Sequence, residues 1–143
     1  MAHYGKGSRD RLSGCHPKLI ALFARVVAIM DNSILTGPRG KVEQNALFET
    51  GLSKVKFPDS NHNLEPSEAV DAVPWPIVWP DMVNRPHEYT KDRDRFILFA
   101  GVVKAVAAEM GIGIRWGGDW DGDGDLTDQT FDDLVHFELI GDS

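Results

Sequence analysis

The sequence predicts an α+β domain in which a small antiparallel sheet is flanked by helices. Apolar residues recur at helical spacing in three segments and alternate with polar residues in several shorter ones. The two kinds of segment follow one another without the regular alternation that is typical of a parallel sheet. The chain has 143 residues, of which 42% are hydrophobic. Residues 1–143 are therefore expected to form one domain with a buried core.

Three helices are expected from the apolar periodicity. The first covers residues 16–31 and has Pro17 in its first turn, where proline is favoured. The second covers 41–50 and ends at Gly51. The third and longest covers 92–110. Its apolar face is formed by Phe96, Phe99, Ala100, Val103, Val106, Ala107 and Met110.

Four short strands are expected, at residues 34–36, 69–73, 112–116 and 134–140. Successive side chains of a strand point to opposite faces of the sheet. In the second strand this places Asp71 opposite Val70 and Ala72. In the last strand the same alternation leaves His136 and Glu138 on one face. It turns Val135, Phe137 and Leu139 toward the core. Segments rich in proline, glycine or polar residues are expected to be irregular, namely 52–68, 74–91 and 117–130.

Composition excludes several classes of protein. A net charge of −7 argues against nucleic-acid binding, which needs a basic surface. Cys15 is the single cysteine, so an internal disulfide is excluded, which fits folding in a reducing cytoplasm. We expect Cys15 to be a partly buried residue near the start of a helix. The apolar run 19–30 is too short to span a bilayer and contains Arg25. The first residues lack the apolar region of a signal peptide, so we expect a protein made in the cytoplasm that does not insert into membranes.

Two histidines and two aspartates provide the residues of a catalytic zinc site. Such sites use three protein ligands and keep one position open, and a hydrolase also needs a carboxylate that moves protons. His62, Asp71 and His136 are the candidate ligands, and Asp133 is the candidate proton carrier. Spacing alone leaves a second interpretation open, in which these are ordinary solvated side chains, because no short motif such as His-Glu-x-x-His is present.

An acidic, glycine-rich loop precedes the last strand. Its carboxylates resemble the first half of a calcium loop, with candidate ligands at Asp119, Asp121, Asp123, Asp125 and Asp128. If Asp119 is the first position, Gly124 is the sixth, where such loops turn sharply. The twelfth position is Thr130, so Asp128 or Asp132 would have to close the site. The alternative is a solvated acidic loop without an ion.

Several motifs, taken in order, carry a resemblance to a known family. Residues 11–19 read Arg-Leu-Ser-Gly-Cys-His-Pro-Lys-Leu, and 37–39 read Gly-Pro-Arg, followed by Gln44, Leu47, Gly51 and Ser53. Residues 60–62 read Ser-Asn-His, 69–71 Ala-Val-Asp, 115–120 Arg-Trp-Gly-Gly-Asp-Trp and 133–139 Asp-Leu-Val-His-Phe-Glu-Leu. Over nearly its whole length the chain resembles the zinc D-alanyl-D-alanine carboxypeptidases and L-alanyl-D-glutamate peptidases, in particular those of bacteriophages.

The resemblance implies roles for individual residues. It implies that His62, Asp71 and His136 bind zinc, that Asp133 is the catalytic acid and base, and that Arg39 contacts the substrate. Four other side chains are expected to support the ligands or contact the substrate: Gln44, Ser53, Ser60 and Glu138. Some phage members of this family have a calcium site at the acidic loop.

Two features depart from the family pattern. The interval from His62 to Asp71 is two residues longer than usual, which leaves Glu65 and Glu68 open as alternative ligands. Gly40 also follows Arg39 where the family commonly has threonine, and this change affects the expected substrate contacts.

The resemblance implies a phage endolysin, a zinc peptidase that cleaves a stem-peptide amide of bacterial peptidoglycan between L-Ala and D-Glu. It would act as a monomer and reach the wall through a separate holin-type pore. A D-Ala-D-Ala carboxypeptidase and a virion-associated wall peptidase remain alternatives. So do a non-catalytic module like the hedgehog signalling domain, which shares the fold, and a calcium-binding interaction domain.

Overall fold

A four-stranded antiparallel sheet organises the structure, a computed structural model that describes residues 2–126 and 133–141. The helices are α1 (Lys6–Ser13), α2 (Pro17–Ile29), α3 (Lys41–Glu49) and α4 (Tyr89–Met110). The strands are β1 (Asn32–Thr36), β2 (Ala69–Pro74), β3 (Ile114–Gly117) and β4 (Asp133–Leu139), in the sheet order β1-β2-β4-β3. Two short 3₁₀ turns cover Asn61–Asn63 and Pro86–Glu88. The predicted α+β class with a small antiparallel sheet is confirmed.

The hydrophobic core lies between one face of the sheet and helices α2 and α4. Phe137 of β4 is fully buried there, and its ring meets the rings of Phe23 and Phe99 edge-on at 5.8 and 5.9 Å. Val70 and Ala72 of β2 belong to the same core. Because side chains alternate along a strand, the opposite face of β2 and β4 is free to carry polar groups.

Helix α1 was not expected from the sequence. Only Leu12 of this helix is buried, so no apolar periodicity marks it. Its polar side chains instead cover the exposed edge of β1. The Ile34 amide donates to Ser8 Oγ at 3.0 Å, and Arg11 Nη1 donates to the Ile34 carbonyl at 3.1 Å. A covered edge strand is protected from pairing with another chain.

The three predicted helices exist, but α4 begins three residues earlier than expected, at Tyr89. The prediction that 74–91 is entirely irregular is therefore wrong at its end. The three extra residues are Tyr89, Thr90 and Lys91. Asp92 follows them in the first turn, a favourable place for a carboxylate, and accepts from Arg85 Nε at 2.8 Å. Within the described residues, none of the helices is long and apolar enough to cross a lipid bilayer.

A bulge between β3 and β4 changes the expected strand alternation. Trp116 pairs with Phe137, but the next residue, Gly117, pairs with Asp133. A Cβ at Gly117 would lie 2.2 Å from the Asp133 carbonyl oxygen, so this approach requires glycine. Phe137 and Leu139 reach the core as predicted. The prediction for Val135 is wrong, because the bulge leaves it only partly buried and lining the cleft described below.

Candidate metal centre and its cleft

Three side chains that are far apart in sequence converge on the polar face of the sheet. The antiparallel register pairs Asp71 of β2 with His136 of β4, and the turn Asn61–Asn63 brings His62 beside them. Asp71 Oδ1 lies 3.2 Å from His62 Nε2 and 3.2 Å from His136 Nδ1. The three side chains are buried, and together they form a group that is able to hold a metal ion.

The outer nitrogen of each histidine is held by a fixed acceptor. His62 Nδ1 lies 2.7 Å from the Gly37 carbonyl oxygen, and His136 Nε2 lies 2.7 Å from Glu138 Oε1. With these nitrogens as donors, the lone pairs of the inner nitrogens, His62 Nε2 and His136 Nδ1, face Asp71. A metal-binding histidine is typically oriented in this way by a carbonyl or carboxylate on its other nitrogen.

The donor atoms fit a zinc ion. Zinc bonds to imidazole nitrogen and carboxylate oxygen are about 2.1 Å long, so a tetrahedral ion separates its donors by about 3.4 Å. The two separations of 3.2 Å from Asp71 Oδ1 are close to this value. Glu65 is exposed and Glu68 is half-buried, and the side chains that lie together are those of His62, Asp71 and His136. The structure therefore groups Asp71, rather than either glutamate, with the two histidines.

Burial and hydrogen bonding shift the pKa values of these groups in opposite senses. Burial raises the pKa of Asp71, but hydrogen bonds from His136 and His62 outweigh it and bring the pKa below its usual range. Burial lowers the pKa of His136, but Asp71 and Glu138 outweigh it and raise the pKa to about 9. Protons and a metal cation would therefore compete for the same donors.

Arg39 is held in a buried network beside the candidate ligands. Its Nη2 lies 3.4 Å from Asp71 Oδ2, and its Nη1 donates to Gln44 Oε1 at 3.0 Å. Gln44 is fully buried and donates from Nε2 to Ser53 Oγ at 2.8 Å. Gln44 and Ser53 thus support Arg39, and Arg39 also lines the cleft.

The loop that carries His62 is locked to the segment around Arg39. Ser60 Oγ accepts from the His62 amide at 3.2 Å and caps the 3₁₀ turn. The Arg39 amide donates to the His62 carbonyl at 2.8 Å, and Asn63 Nδ2 donates to the Arg39 carbonyl at 2.9 Å. Sequence analysis missed Asn63. Gly37, which orients His62, has no room for a side chain because a Cβ would lie 2.2 Å from the Arg11 carbonyl oxygen.

Asp133 lies at the start of β4 and lines the cleft with the three candidate ligands. Burial raises its pKa, and the negative charge of Asp71 adds to the rise. His136, His62 and Arg39 act in the opposite direction, but the net pKa is above the usual value. A carboxyl group with a raised pKa is suited to accepting and returning a proton near neutral pH.

Glu138 connects His136 to Arg115, a residue to which the sequence analysis assigned no role. Arg115 and Glu138 are paired across β3 and β4, and Arg115 Nη2 donates to Glu138 Oε2 at 2.6 Å. Burial raises the pKa of Glu138, but His136 and Arg115 lower it below its usual value. Trp120 was also missed, and its ring lies 5.5 Å from that of His136. Strand alternation was the available signal for Arg115, since it places this residue on the face opposite Ile114 and Trp116.

The candidate ligands lie in an open cleft of about 1130 Å³. It crosses the whole sheet, from Leu35 on edge strand β1 to Arg115 on edge strand β3, with the ligand-bearing strands β2 and β4 between them. Part of its lining is apolar and is formed by Leu35, Leu47, Leu52 and Val55. Aromatic and charged side chains also line it, among them Trp79, Arg115, Trp120 and Asp121.

The acidic loop brings three carboxylates together. Asp119, Asp121 and Asp123 have oxygens within 4.8 Å of one another. Asp119 is buried, and its Oδ2 accepts from the Gly124 amide at 2.9 Å. Among residues 2–126 and 133–141, no group forms a hydrogen bond with its Oδ1. Desolvation raises the pKa of Asp121, and the side chains of Asp123 and Asp119 raise it further. The Asp125 amide donates to Asp123 Oδ1 at 2.8 Å, whereas Asp128 lies outside the described residues.

Comparison with known proteins identifies the family. The family model described as phage L-alanyl-D-glutamate peptidase matches residues 1–140. The chain belongs to this family. The family resemblance and the prediction of a peptidase are thereby confirmed.

One named relative and one solved structure are similar to this chain over almost its whole length. A protein named L-alanyl-D-glutamate peptidase from Escherichia phage T5 is 25% identical over 143 residues, which cover 96% of this chain and 97% of the relative. The crystal structure of the Serratia marcescens L-Ala D-Glu endopeptidase ChiX superposes with a TM-score of 0.72 at 26% identity. It covers 96% of this chain and 89% of that one. The similarity to both proteins therefore extends over almost the whole of this chain.

Proposed function

We propose that this chain is a zinc-dependent endopeptidase that hydrolyses the L-Ala–D-Glu bond in the stem peptide of bacterial peptidoglycan. The observation that carries the proposal is the convergence of two imidazole nitrogens on one carboxylate oxygen, each at 3.2 Å, with both outer nitrogens already held by acceptors. Family membership and the names of the two relatives support the choice of substrate.

When bound at His62, Asp71 and His136, zinc would supply Lewis acidity toward the scissile carbonyl group and would promote deprotonation of water. Asp133 performs the proton transfers. It accepts a proton on its carboxylate as water attacks and returns that proton to the leaving amine nitrogen of D-Glu. Its raised pKa makes the carboxylate a stronger base in the first of these steps.

Arg39 has two roles in this proposal. Its contact with Asp71 Oδ2 orients the carboxylate so that Oδ1 faces the histidines. Its guanidinium also lines the cleft, where it would stabilise the negative charge that develops on the substrate oxygen. Gln44 and Ser53 keep it in place, and Glu138 orients His136.

The shape of the cleft favours an endopeptidase over a D-Ala-D-Ala carboxypeptidase. The cleft runs past the ligands toward both edge strands, β1 and β3, so a substrate that continues on both sides of the cut bond has room. The carboxypeptidase alternative uses the same ligands and needs space on one side only. The charged and proton-moving groups at the site argue against a purely binding module like the hedgehog domain.

Mass spectrometry of digested peptidoglycan tests the bond. The proposal expects fragments with new D-Glu amino termini, and these should be lost after Asp133→Asn substitution. Release of free D-Ala without new D-Glu termini would replace the proposal with the carboxypeptidase. Intact peptidoglycan together with tight peptidoglycan binding would favour the binding module.

In its biological setting, we propose a monomeric endolysin that is made in the host cytoplasm and reaches the wall through a holin-type pore. Membership of a phage peptidase family supports this role. Expression in the cytoplasm should leave cells intact, and co-expression of a pore-forming protein should lyse them. Finding the chain in purified virions would favour the virion-associated wall peptidase instead.

We also propose that the acidic loop binds calcium through Asp119, Asp121 and Asp123, with Asp125 and Asp128 as further candidates. The supporting observation is the buried Asp119 Oδ1, which has no hydrogen-bond partner within the described residues. A buried carboxylate oxygen of this kind is stabilised by a cation. Calcium would hold the side chains of Asp119, Asp121 and Asp123 in one arrangement. Calorimetric titration with calcium, using magnesium as the comparison ion, tests this.

A further inference from the structure

A second, smaller cavity adjoins the cleft next to Asp133. Its volume is about 330 Å³, and it is lined by Trp79, Pro80, Tyr89, Arg93, Phe96, Asp133, Leu134 and Val135. Three of these residues, Trp79, Asp133 and Val135, also line the main cleft. The two spaces therefore meet at the residue that would move protons, and a substrate in the cleft can extend directly into the smaller cavity.

Trp79 forms a fixed aromatic wall where the two cavities meet. Its ring packs against that of Phe96 with the centroids 5.7 Å apart and the planes tilted by 31°. Phe96 is fully buried, whereas Trp79 is 49% exposed. The core thus holds one face of the indole while the remaining surface is open to a ligand. Val135 completes this wall because the β4 bulge leaves it out of the core.

The remaining lining adds polar groups to the aromatic surfaces. Tyr89 contributes a phenol and Arg93 a guanidinium, both on half-buried side chains in the first turns of α4. Aromatic faces beside a few hydrogen-bonding groups suit a sugar ring, which has apolar C–H faces and hydroxyl and amide groups at its edge. The volume lies at the small end of ligand pockets, which hold about 300–1,000 Å³, and so suits one sugar unit.

We propose that this cavity binds the N-acetylated muramoyl sugar whose lactyl group is joined to the L-Ala residue of the substrate. The proposal rests on the function proposed above and names the part of the substrate beyond the scissile bond. Only the L-Ala side carries a sugar. The D-Glu side continues as a peptide, which has no ring with apolar C–H faces to pack against Trp79.

The test compares two substrates that have the same scissile bond. One is the muramoyl tripeptide, muramoyl-L-Ala-D-γ-Glu-diaminopimelate, and the other is the same tripeptide with an N-acetyl group in place of the sugar. The measured quantity is the ratio of their kcat/KM values with the zinc-loaded enzyme. We expect a preference of about tenfold for the muramoyl substrate, which is the size of one well-packed aromatic contact.

Trp79→Ala should remove most of this preference. The matched control is Trp75→Ala, because Trp75 is in the same loop and 56% exposed but lines neither cavity. If Trp79→Ala does not fold, Arg93→Gln provides a second route. Its control is Lys91→Gln on the same helix, whose side chain is 77% exposed. Arg93→Gln should reduce the preference severalfold, and both controls should keep it.

Each outcome has a distinct meaning. Equal kcat/KM values for the two substrates in the unmodified enzyme would overturn the sugar site and leave the peptidase intact. Equal losses on both substrates in Trp79→Ala and Arg93→Gln would assign the cavity to the peptide and also overturn the proposal. If neither substrate is cleaved while peptidoglycan releases free D-Ala, the proposed function itself fails together with the sugar site.

Discussion

The two candidate metal sites of this molecule differ in how completely the protein organises them. At the His62–Asp71–His136 group every ligand is buried on strands or a capped turn, and both histidines have their outer nitrogens held. At the acidic loop, Asp121 and Asp123 are exposed, and only Asp119 is buried. The side chains of the first group are already arranged as a metal would need them, whereas those of the second would be brought together by an ion. This difference predicts tight binding of zinc at the first site and weaker binding of calcium at the second.

The largest expected effect separates chemistry from metal binding at the first site. Asp133→Asn removes the proton-accepting carboxylate but none of the three candidate ligands, so kcat should fall by about 10²–10⁴-fold. Zinc content should stay near that of the unmodified protein. Peptidoglycan hydrolysis and elemental analysis on the same preparations measure the two quantities. A variant that keeps most of its activity would remove Asp133 from the mechanism.

The organisation of the first site is tested through Glu138. Glu138→Gln weakens the acceptor that orients His136 Nε2 and the contact with Arg115. Loss of such an outer contact typically lowers metal affinity by about 10–100-fold. Competition with a zinc chelator measures the affinity. Glu109→Gln is the control, because Glu109 forms an exposed ion pair with Arg25 far from the site in sequence. Equal affinities in both variants would mean that His136 needs no such support.

The second site is tested by the paired substitutions Asp121→Ala and Asp123→Ala. We expect activity to fall by about threefold to tenfold and its dependence on calcium to disappear, because an ordering effect is weaker than loss of a catalytic group. The zinc content should not change. If these substitutions reduce zinc binding as strongly as Glu138→Gln does, the two sites are not separate and the comparison fails.

The smallest expected effect concerns Cys15, which is buried in the core and is a candidate ligand at neither site. Burial raises the pKa of its thiol from 9.0 to about 11. The unfolded thiol therefore loses its proton first, and the stability due to the neutral buried thiol is present below pH 9 and lost as pH rises to about 11. Denaturant unfolding of the wild type and of Cys15→Ala across this range should show a relative loss of about 2 kcal/mol in the wild type.

The sequence predicted the chemistry of the site better than its geometry. Residue types and family motifs pointed to His62, Asp71 and His136, but the register of β2 against β4 that brings two of them together is a long-range pairing. Arg115 was missed because its role depends on facing Glu138 across that sheet. Local patterns also missed α1, whose contacts are polar. They assigned Val135 to the core, which is wrong because a bulge interrupts the alternation. Such features are set by tertiary contacts and not by periodicity.

Zinc titration of metal-stripped protein tests the central claim most directly. The account predicts binding of about one zinc ion per chain, recovery of peptidoglycan hydrolysis with the same stoichiometry, and loss of this binding in His136→Ala while the protein stays folded by circular dichroism. A folded, stripped protein that hydrolyses peptidoglycan at full rate, or that takes up zinc equally well without His136, would contradict it.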